Sequence, residues 1–520
     1  MALNGNNKRT CADMLCCDID PSIPSTSQPK DKKKKGDSLL RIVTWDMIAE
    51  DKVVCCTNQD TQFNASNRYC LANGECRIPP GAKYMYKKGE RDVANYCIPC
   101  YETKFPAHGN KRDWKMAENI NTASDVILKC STCQEKWHKT CALFFNPDAS
   151  KFVCMECGGG RSDLKTTIDT KEHAHAAAFM TEKLNELLRS RIGITVARKD
   201  KIRVCGLSEE KSIWTKALVP AIVEAEFKKK YSGKFKYVKR AFHVFQRIDG
   251  VDVILCSLYT QETPMGKRWM IDYFDSLPYF KFYDNLKSGE LHQEVFHAYI
   301  EYMSSINYLN GHIWSSPPKP GDDFCFNIHP SAMKYLDRNG LIAWYQRILK
   351  NGRSLGIIKE YRNFREELEH QGGSIEKPSD LPVFVDSLWC QVMKEINFEH
   401  PNSPSEFMEA LQKQYEIHAT DNFVIELPGA KTPRERDTWY YSHPILGDRM
   451  GFLKKCVKEN WEFPTLARAM YASVALIQYL PRSKTVAMRR RTTRHHRGLC
   501  LWQGHLDGSL LMTEVFVPDS

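Results

Sequence analysis

The sequence predicts an α/β domain preceded by a small metal-binding module, and three observations carry that expectation. Fourteen of the 20 cysteines fall before residue 158, so a cysteine-dense front gives way to a long, cysteine-poor remainder. From about residue 180 to residue 480, β-rich runs alternate with segments of helical period and no internal repeat is visible, the order of a single α/β domain. A hydrophobic content of 42% with 11% aromatics is enough to fill such a core within 520 residues.

Residues 1–45 carry a Pro/Ser/Lys mixture with little to bury and read as a disordered leader. Cys11, Cys16 and Cys17 lie in it without partners at a metal spacing. Residues 53–158 form the cysteine block, 159–178 a polar linker, 179–480 the α/β domain, and 481–520 a basic tail without sustained period. The net charge of +11 is concentrated in runs such as Lys32 to Lys35 and Arg489 to Arg497, which suit solvated tails, nuclear import or nucleic-acid contact equally. No run of eighteen apolar residues and no basic-then-apolar leader occurs, so the reading is intracellular, without membrane association. In a reducing compartment, clustered cysteines argue for metal rather than disulfides.

Within the large domain, "MTEKLNELLRSRIG" places Met180, Leu184, Leu187 and Leu188 on one helical stripe. "AFHVFQRIDGVDVILCSLYTQ" brackets Asp249-Gly250 with two strand-like runs, a hairpin signal because both turn positions tolerate positive φ. "WMIDYFDSL" reads as a strand and "ELHQEVFHAYIEYMSSI" as an amphipathic helix. "GLIAWYQRILK" and "SLGIIKEYRNFREELEH" both read as helices.

The cysteine block contains Cys130-x2-Cys133, His138-x2-Cys141 and Cys154-x2-Cys157. A Cys-x2-Cys pair can wrap a tetrahedral ion from one tight turn, and two such pairs with a His-x2-Cys between them are a strong zinc signal. With Trp137 beside His138, the segment resembles the second half of a PHD finger. That resemblance implies one zinc on Cys130, Cys133, Cys154 and Cys157, and a second shared by His138 and Cys141 with an earlier pair. Cys97 and Cys100 are candidates for that pair, as are Cys55, Cys56, Cys70 and Cys76, and spacing does not choose between them. The zinc is read as structural, folding a module too small to stand on its apolar core.

The order Ile248-Asp249-Gly250-Val251-Asp252-Val253, Tyr273-Phe274-Asp275-Ser276, Glu301-Tyr302, Gly311-His312-Ile313-Trp314, Pro317-Pro318, Gly321-Asp322-Asp323, His329-Pro330 and Trp344-Tyr345 resembles the catalytic domain of the CREB-binding-protein family of lysine acetyltransferases. The cysteine block falls where that family carries its RING-like and PHD modules. The resemblance implies a central mixed sheet flanked by helices and acetyl transfer from acetyl-CoA to a lysine ε-amine. It implies Tyr345 as the general acid for the departing thiolate and Trp314 as the wall of the lysine tunnel. Cofactor contacts are implied at Phe274, Asp275, Ser276, Tyr335 and Trp344, and substrate contacts at Tyr273, Asp275, Gly311, His312 and Ile313. The family's phosphate-gripping Arg-Thr pair aligns with Ser288-Gly289, next to Lys287, and a second family arginine aligns with Gly340, two positions after Arg338. Ser316 stands where the family has a tunnel cysteine, and the family's long autoinhibitory loop is reduced to "EHPNSPSEFMEALQKQYEIH". The expectation is a nuclear histone acetyltransferase and transcriptional coactivator. Its expected partners are histone tails and transcription factors or chromatin complexes, without sequence-specific DNA binding. The alternative is a catalytically weak paralogue that acts through its zinc module at chromatin.

Overall fold

The structure is a computed structural model. It describes residues 53–55, 62–64, 68–70, 77–78, 82–89, 95–104, 111–119, 122–124, 127–139, 141–142, 151–158, 165–168, 175–317, 324–330, 333, 335–370, 375–399, 403–437, 442–443, 445, 447–459 and 461–480. The expected leader, the basic tail, Pro318 and Gly321 to Asp323 lie outside the described residues, as do Cys56 and Cys76.

The large domain is built on a seven-stranded mixed sheet: β1 (Ile202–Trp214), β2 (Lys234–Ile248), β3 (Val251–Thr263), β4 (Arg268–Ser276), β5 (Asn310–Trp314), β6 (Glu360–Asn363) and β7 (Asn422–Glu426), in the spatial order β1-β2-β3-β4-β5-β7-β6. Strands β1 to β4 form an antiparallel meander. The β2–β3 hairpin closes on Asp249 (φ 46°) and Gly250 (φ 83°), two consecutive positive-φ residues whose twist matches that of the strands. Every residue of β3 is buried, because helices cover the sheet on both faces.

Helices α1 (His175–Ile192), α3 (Ser288–Ser305), α4 (Arg338–Ser354) and α9 (Leu466–Tyr479) pack one continuous core with β1 to β5, including Phe242, Trp269, Phe296 and Ile313. A second cluster gathers Phe227 of α2 (Ala221–Tyr231), Phe364 of α5 (Phe364–Glu369), Trp389 of α6 (Leu388–Glu399) and Phe407 of α7 (Pro404–Ile417). Helix α8 (Arg449–Glu459) contributes Phe452 to the first core.

Several expectations are corrected. The segment Ser354 to His370 is not one helix. Gly356 (φ 74°) ends α4, with the Ile357 and Ile358 amides bonding back to Gly352 O at 2.9 and 3.1 Å, and the chain then forms edge strand β6 and the short α5. The helix expected to be amphipathic, α3, is buried on nearly all sides. The segment expected as a reduced loop folds as α7, capped by Ser403 Oγ accepting from the Glu406 amide (3.4 Å), with Pro404 at its first position. The polar linker is partly docked: Asp252 N donates to Thr166 O at 2.8 Å and Ile168 N to Asp252 Oδ2 at 2.9 Å, while α1 begins at His175 rather than 179.

Candidate active site

Between β4 and β5 the sheet changes from antiparallel to parallel pairing, running from Arg268–Asn310 to Ile271–Ile313. Past that last rung the strands part, and a cavity of about 330 Å³ opens at their carboxyl ends. A crevice at a topological switch point is where α/β sheets bind ligands, because loops diverge there and backbone groups are left unpaired.

Nine residues named from the sequence line this cavity: Tyr273, Phe274, Asp275, Ser276, His312, Trp314, Tyr335, Trp344 and Tyr345. Ser316 joins them. Trp344 stacks on Phe274 (6.1 Å between centroids, 26°) and meets Tyr345 edge-on (5.0 Å, 64°). Phe296 of α3 packs edge-on against both. Tyr345 is 8% exposed, and burial pushes its phenol well above the ordinary tyrosine range, so the hydroxyl holds its proton at any working pH. The Trp314 indole Nε1–H is buried with no hydrogen-bond partner among the described residues. His292 and His312 also line the cavity, and burial brings each down to about 4, so both are neutral.

Asp275 borders the cavity, but its carboxylate is committed elsewhere. Oδ2 accepts from the Cys325 and Phe326 amides at 2.7 and 3.2 Å, and Oδ1 pairs with His329 Nε2 at 3.0 Å. Burial works against this carboxylate's charge, yet the His329 ring and the two amides together hold it below the usual range. The residue fixes the loop 324–329 that forms one wall.

Other expected contacts are placed away from the cavity. Lys287 precedes α3 and Ser288 and Gly289 begin it, and none of the three lines the cavity. Arg338 Nη2 donates to Asp421 Oδ2 (2.7 Å) and Ile417 O (2.9 Å), which turns the guanidinium toward β7. Gly340 N donates to Asp337 Oδ1 at 2.7 Å, an N-cap of α4. Ile313 is wholly buried in the core. Gly311 instead borders a second cavity of about 280 Å³, to which His312 also contributes.

The sequence reading missed Asp272, Phe324, Asp386 and Gln391, all of which line the main cavity. Asp272 sits at a break in the β3–β4 register, where Tyr259 pairs with Tyr273 and Thr260 with Ile271. Asp386 has φ 56°, just before α6. Neither irregularity has a signature in the local alternation of residues.

In the cysteine block, three groups have ligand atoms within 4.8 Å of one another: Cys130, Cys133, Cys154 and Cys157; Cys55, His138 and Cys141; and Cys70, Cys97 and Cys100. The first is the expected set. The second and third decide between the alternatives left open by spacing: Cys55 joins His138 and Cys141, while Cys97 and Cys100 gather around Cys70. The strand Asn95–Cys97 fixes this by carrying the Cys97 amide to Cys70 Sγ at 3.4 Å. The donors suit zinc: tetrahedral Zn–S bonds of about 2.3 Å set sulfurs roughly 3.8 Å apart, and Cys133 and Cys154 Sγ are 3.7 Å apart. The amide of Cys154 points at Cys130 Sγ (3.3 Å), a contact that stabilises a thiolate.

Residues 184–426 match the family model described as histone acetyltransferase domain KAT3. Over those residues the large domain is similar to acetyltransferases of the CREB-binding-protein type. Relatives of this acetyltransferase domain include protein cbp-1 of Caenorhabditis elegans, 23% identical over 559 aligned positions that cover 87% of this chain and 27% of the relative. Histone acetyltransferases HAC12 and HAC1 of Arabidopsis thaliana are 24% and 25% identical over 394 and 401 positions, covering 67% and 68% of this chain and 23% of each relative. The chain thus spans about a quarter of the length of these relatives. The crystal structure of Rtt109 from Aspergillus fumigatus superposes with a TM-score of 0.34 at 13% identity, over 56% of this chain and 94% of that one, too loosely to carry an argument. Among the described residues no helix is long and apolar enough to cross a membrane.

Proposed function

We propose that the chain is a lysine acetyltransferase that moves the acetyl group of acetyl-CoA to lysine ε-amines of histones. The observation that carries this reading is the aromatic cavity at the β4–β5 switch point, with Trp344 and Phe274 stacked on one side, Trp314 on another, and the Tyr345 phenol at its wall.

The chemistry suits these groups. A phenol of pKa about 10 protonating a thiolate whose acid has pKa about 8.5 is uphill by about 2 kcal/mol in water. Burial raises both acids together, so Tyr345 can deliver its proton as the carbon–sulfur bond breaks. Trp314, Trp344 and Phe274 exclude water and favour the neutral amine over the ammonium, and neutral His312 adds no cation to repel it.

Zinc held by the three cysteine groups would be structural, cross-linking short hairpins whose small cores gather Trp137 with Phe152 and Tyr96 with Trp114. Relatives named as histone acetyltransferases support histone tails as substrates; a nuclear role in transcriptional coactivation, with transcription factors or chromatin complexes as recruiters, belongs to the same proposal. The test is mass spectrometry of histone-tail peptides after incubation with the full chain and acetyl-CoA. Acetylated lysine is the expected product, and unmodified peptide at saturating acetyl-CoA refutes the reading.

A second reading, a chromatin-interaction protein with weak catalysis, draws on one observation. Of the cations near the positions where phosphate contacts are expected, Lys287 does not line the cavity and Arg338 is paired with Asp421. Under that reading acetyl-CoA binds in the millimolar range and peptide acetylation stays at the uncatalysed level.

A further inference from the structure

The reaction needs something that the aromatic walls do not supply, an acceptor for the proton that the lysine ammonium must lose before its nitrogen can attack. The geometry points to Asp272: we propose that its carboxylate docks the incoming ammonium and takes that proton. This inference rests on the acetyltransferase reading above.

Two structural observations place Asp272 in the cavity wall near Trp314. The parallel β4–β5 pairing ends on the rung Ile271–Ile313, so the next residue on each strand is Asp272 and Trp314, side by side where the strands part. The β3–β4 register also skips Asp272, pairing Tyr259 with Tyr273 and Thr260 with Ile271. A bulge of this kind re-aims the extra side chain, and Asp272 lines the cavity together with its neighbours Tyr273 and Phe274.

The carboxylate is held and yet open. Gln261 Nε2 donates to Asp272 Oδ2 at 3.0 Å and to Val385 O at 2.8 Å, while Val385 N donates back to Gln261 Oε1 at 3.2 Å. That bridge ties β4 to the turn that presents Asp386 to the same cavity. The other oxygen, Oδ1, makes no hydrogen bond with any described residue. Burial brings Asp272 up to about 6, opposed by Gln261, by Lys239 of β2 and by Arg449 of α8, and reinforced by Asp386. The other ionisable groups that face it are Tyr237 of β2, Tyr273 of β4 and Cys325 in the loop 324–329. A carboxylate near 6 is ionised at neutral pH yet more basic than an exposed one. The buried His292 and His312 near 4 are poorer acceptors.

The step balances. The ammonium gives one proton to Asp272 and the neutral amine attacks the thioester carbonyl. As the nitrogen–carbon bond forms and the carbon–sulfur bond breaks, Tyr345 protonates the sulfur. The nitrogen's second proton leaves to solvent, from which Tyr345 is recharged, and Asp272 releases its proton to water once the amide departs.

The test is kcat/KM for a lysine peptide from about pH 6 to about pH 9, measured with the full chain, its Asp272→Asn variant and its Asp272→Glu variant, each with its melting temperature. The wild type should hold a plateau above about pH 6, because the ion pair supplies the amine at constant yield. Asp272→Asn should be slower by roughly 10²-fold at neutral pH. Its rate should climb about tenfold per pH unit, as solvent supplies the free amine below the lysine pKa of about 10.4. Asp272→Glu should restore the plateau in part. A wild-type rate that itself climbs tenfold per unit overturns the proposal even if the asparagine variant does not fold. So does an asparagine deficit that stays constant with pH, the mark of a merely structural role. A wild type inactive at every pH removes the acetyltransferase reading and this inference with it. An active wild type with an indifferent variant removes only this inference.

Discussion

Gly311 provides a test of how the site is positioned. A Cβ at this position would lie 2.1 Å from Trp269 Cζ2, 2.5 Å from Cη2 and 2.6 Å from Cε2, all far inside van der Waals contact. The indole cannot retreat: Trp269 is wholly buried, its Nε1 donates to Tyr308 O at 3.0 Å, and Tyr299 packs edge-on against it at 5.6 Å. Strand β5 must therefore move away from β4, carrying with it Trp314, three residues along. Overpacking of this kind costs about 3 kcal/mol or more, which in a domain of this size lowers the melting temperature by roughly 6–12 °C. Gly311→Ala, Trp269→Phe and the double variant should be melted in parallel. Removing the fused ring clears the contact at the expense of the Tyr308 bond, so the double variant should be more stable than the sum of the single losses by at least about 1 kcal/mol. Additive losses, or a Gly311→Ala protein that melts like the wild type, would show that Trp269 does not hold β5 at this distance.

Three further outcomes are expected. Asp275→Asn removes a buried carboxylate that holds two amides and His329, and should cost about 3–5 kcal/mol in urea denaturation at neutral pH. Because the folded carboxylate lies below its unfolded value of about 3.9, that stability is present above about pH 4 and lost as pH falls further, so wild type and variant should converge in acid. Arg240→Met leaves Glu262 and Asp437 facing each other without the guanidinium that reaches both at 2.7 and 2.8 Å, and should destabilise by a similar 3–5 kcal/mol, read by denaturant midpoint. Native mass spectrometry should find three zinc ions per chain, with Cys70→Ser and Cys130→Ser each releasing a different one; two ions in the wild type would contradict the grouping.

What the sequence could disclose depended on how local the determining physics is. The β2–β3 turn was legible because Asp249 and Gly250 tolerate positive φ, a property of the two residues themselves. The aromatic wall was legible through ordered motifs, and Tyr273, Phe274, Trp314, Trp344 and Tyr345 all arrive at one cavity. Strand β6 was not legible: its partner β7 lies some sixty residues on, and without that pairing the segment after Gly356 reads as helix. Asp272 escaped notice because a register break depends on the facing strand. The assignment of Cys55 and Cys70 required knowing which hairpins cross, since several Cys pairs offered acceptable spacing. The pairing of Arg338 with Asp421 was likewise illegible, because the two residues lie more than eighty positions apart and meet only in the fold.

The central claim, that this cavity binds acetyl-CoA and that Tyr345 serves its chemistry, is tested most directly by calorimetric titration of acetyl-CoA followed by a single-turnover assay, on the wild type and on Tyr345→Phe. Both proteins should bind equally, with turnover on a lysine peptide reduced roughly 10²- to 10⁴-fold in the variant. It is contradicted by an absence of binding at millimolar acetyl-CoA, or by binding and turnover that persist unchanged without the phenol.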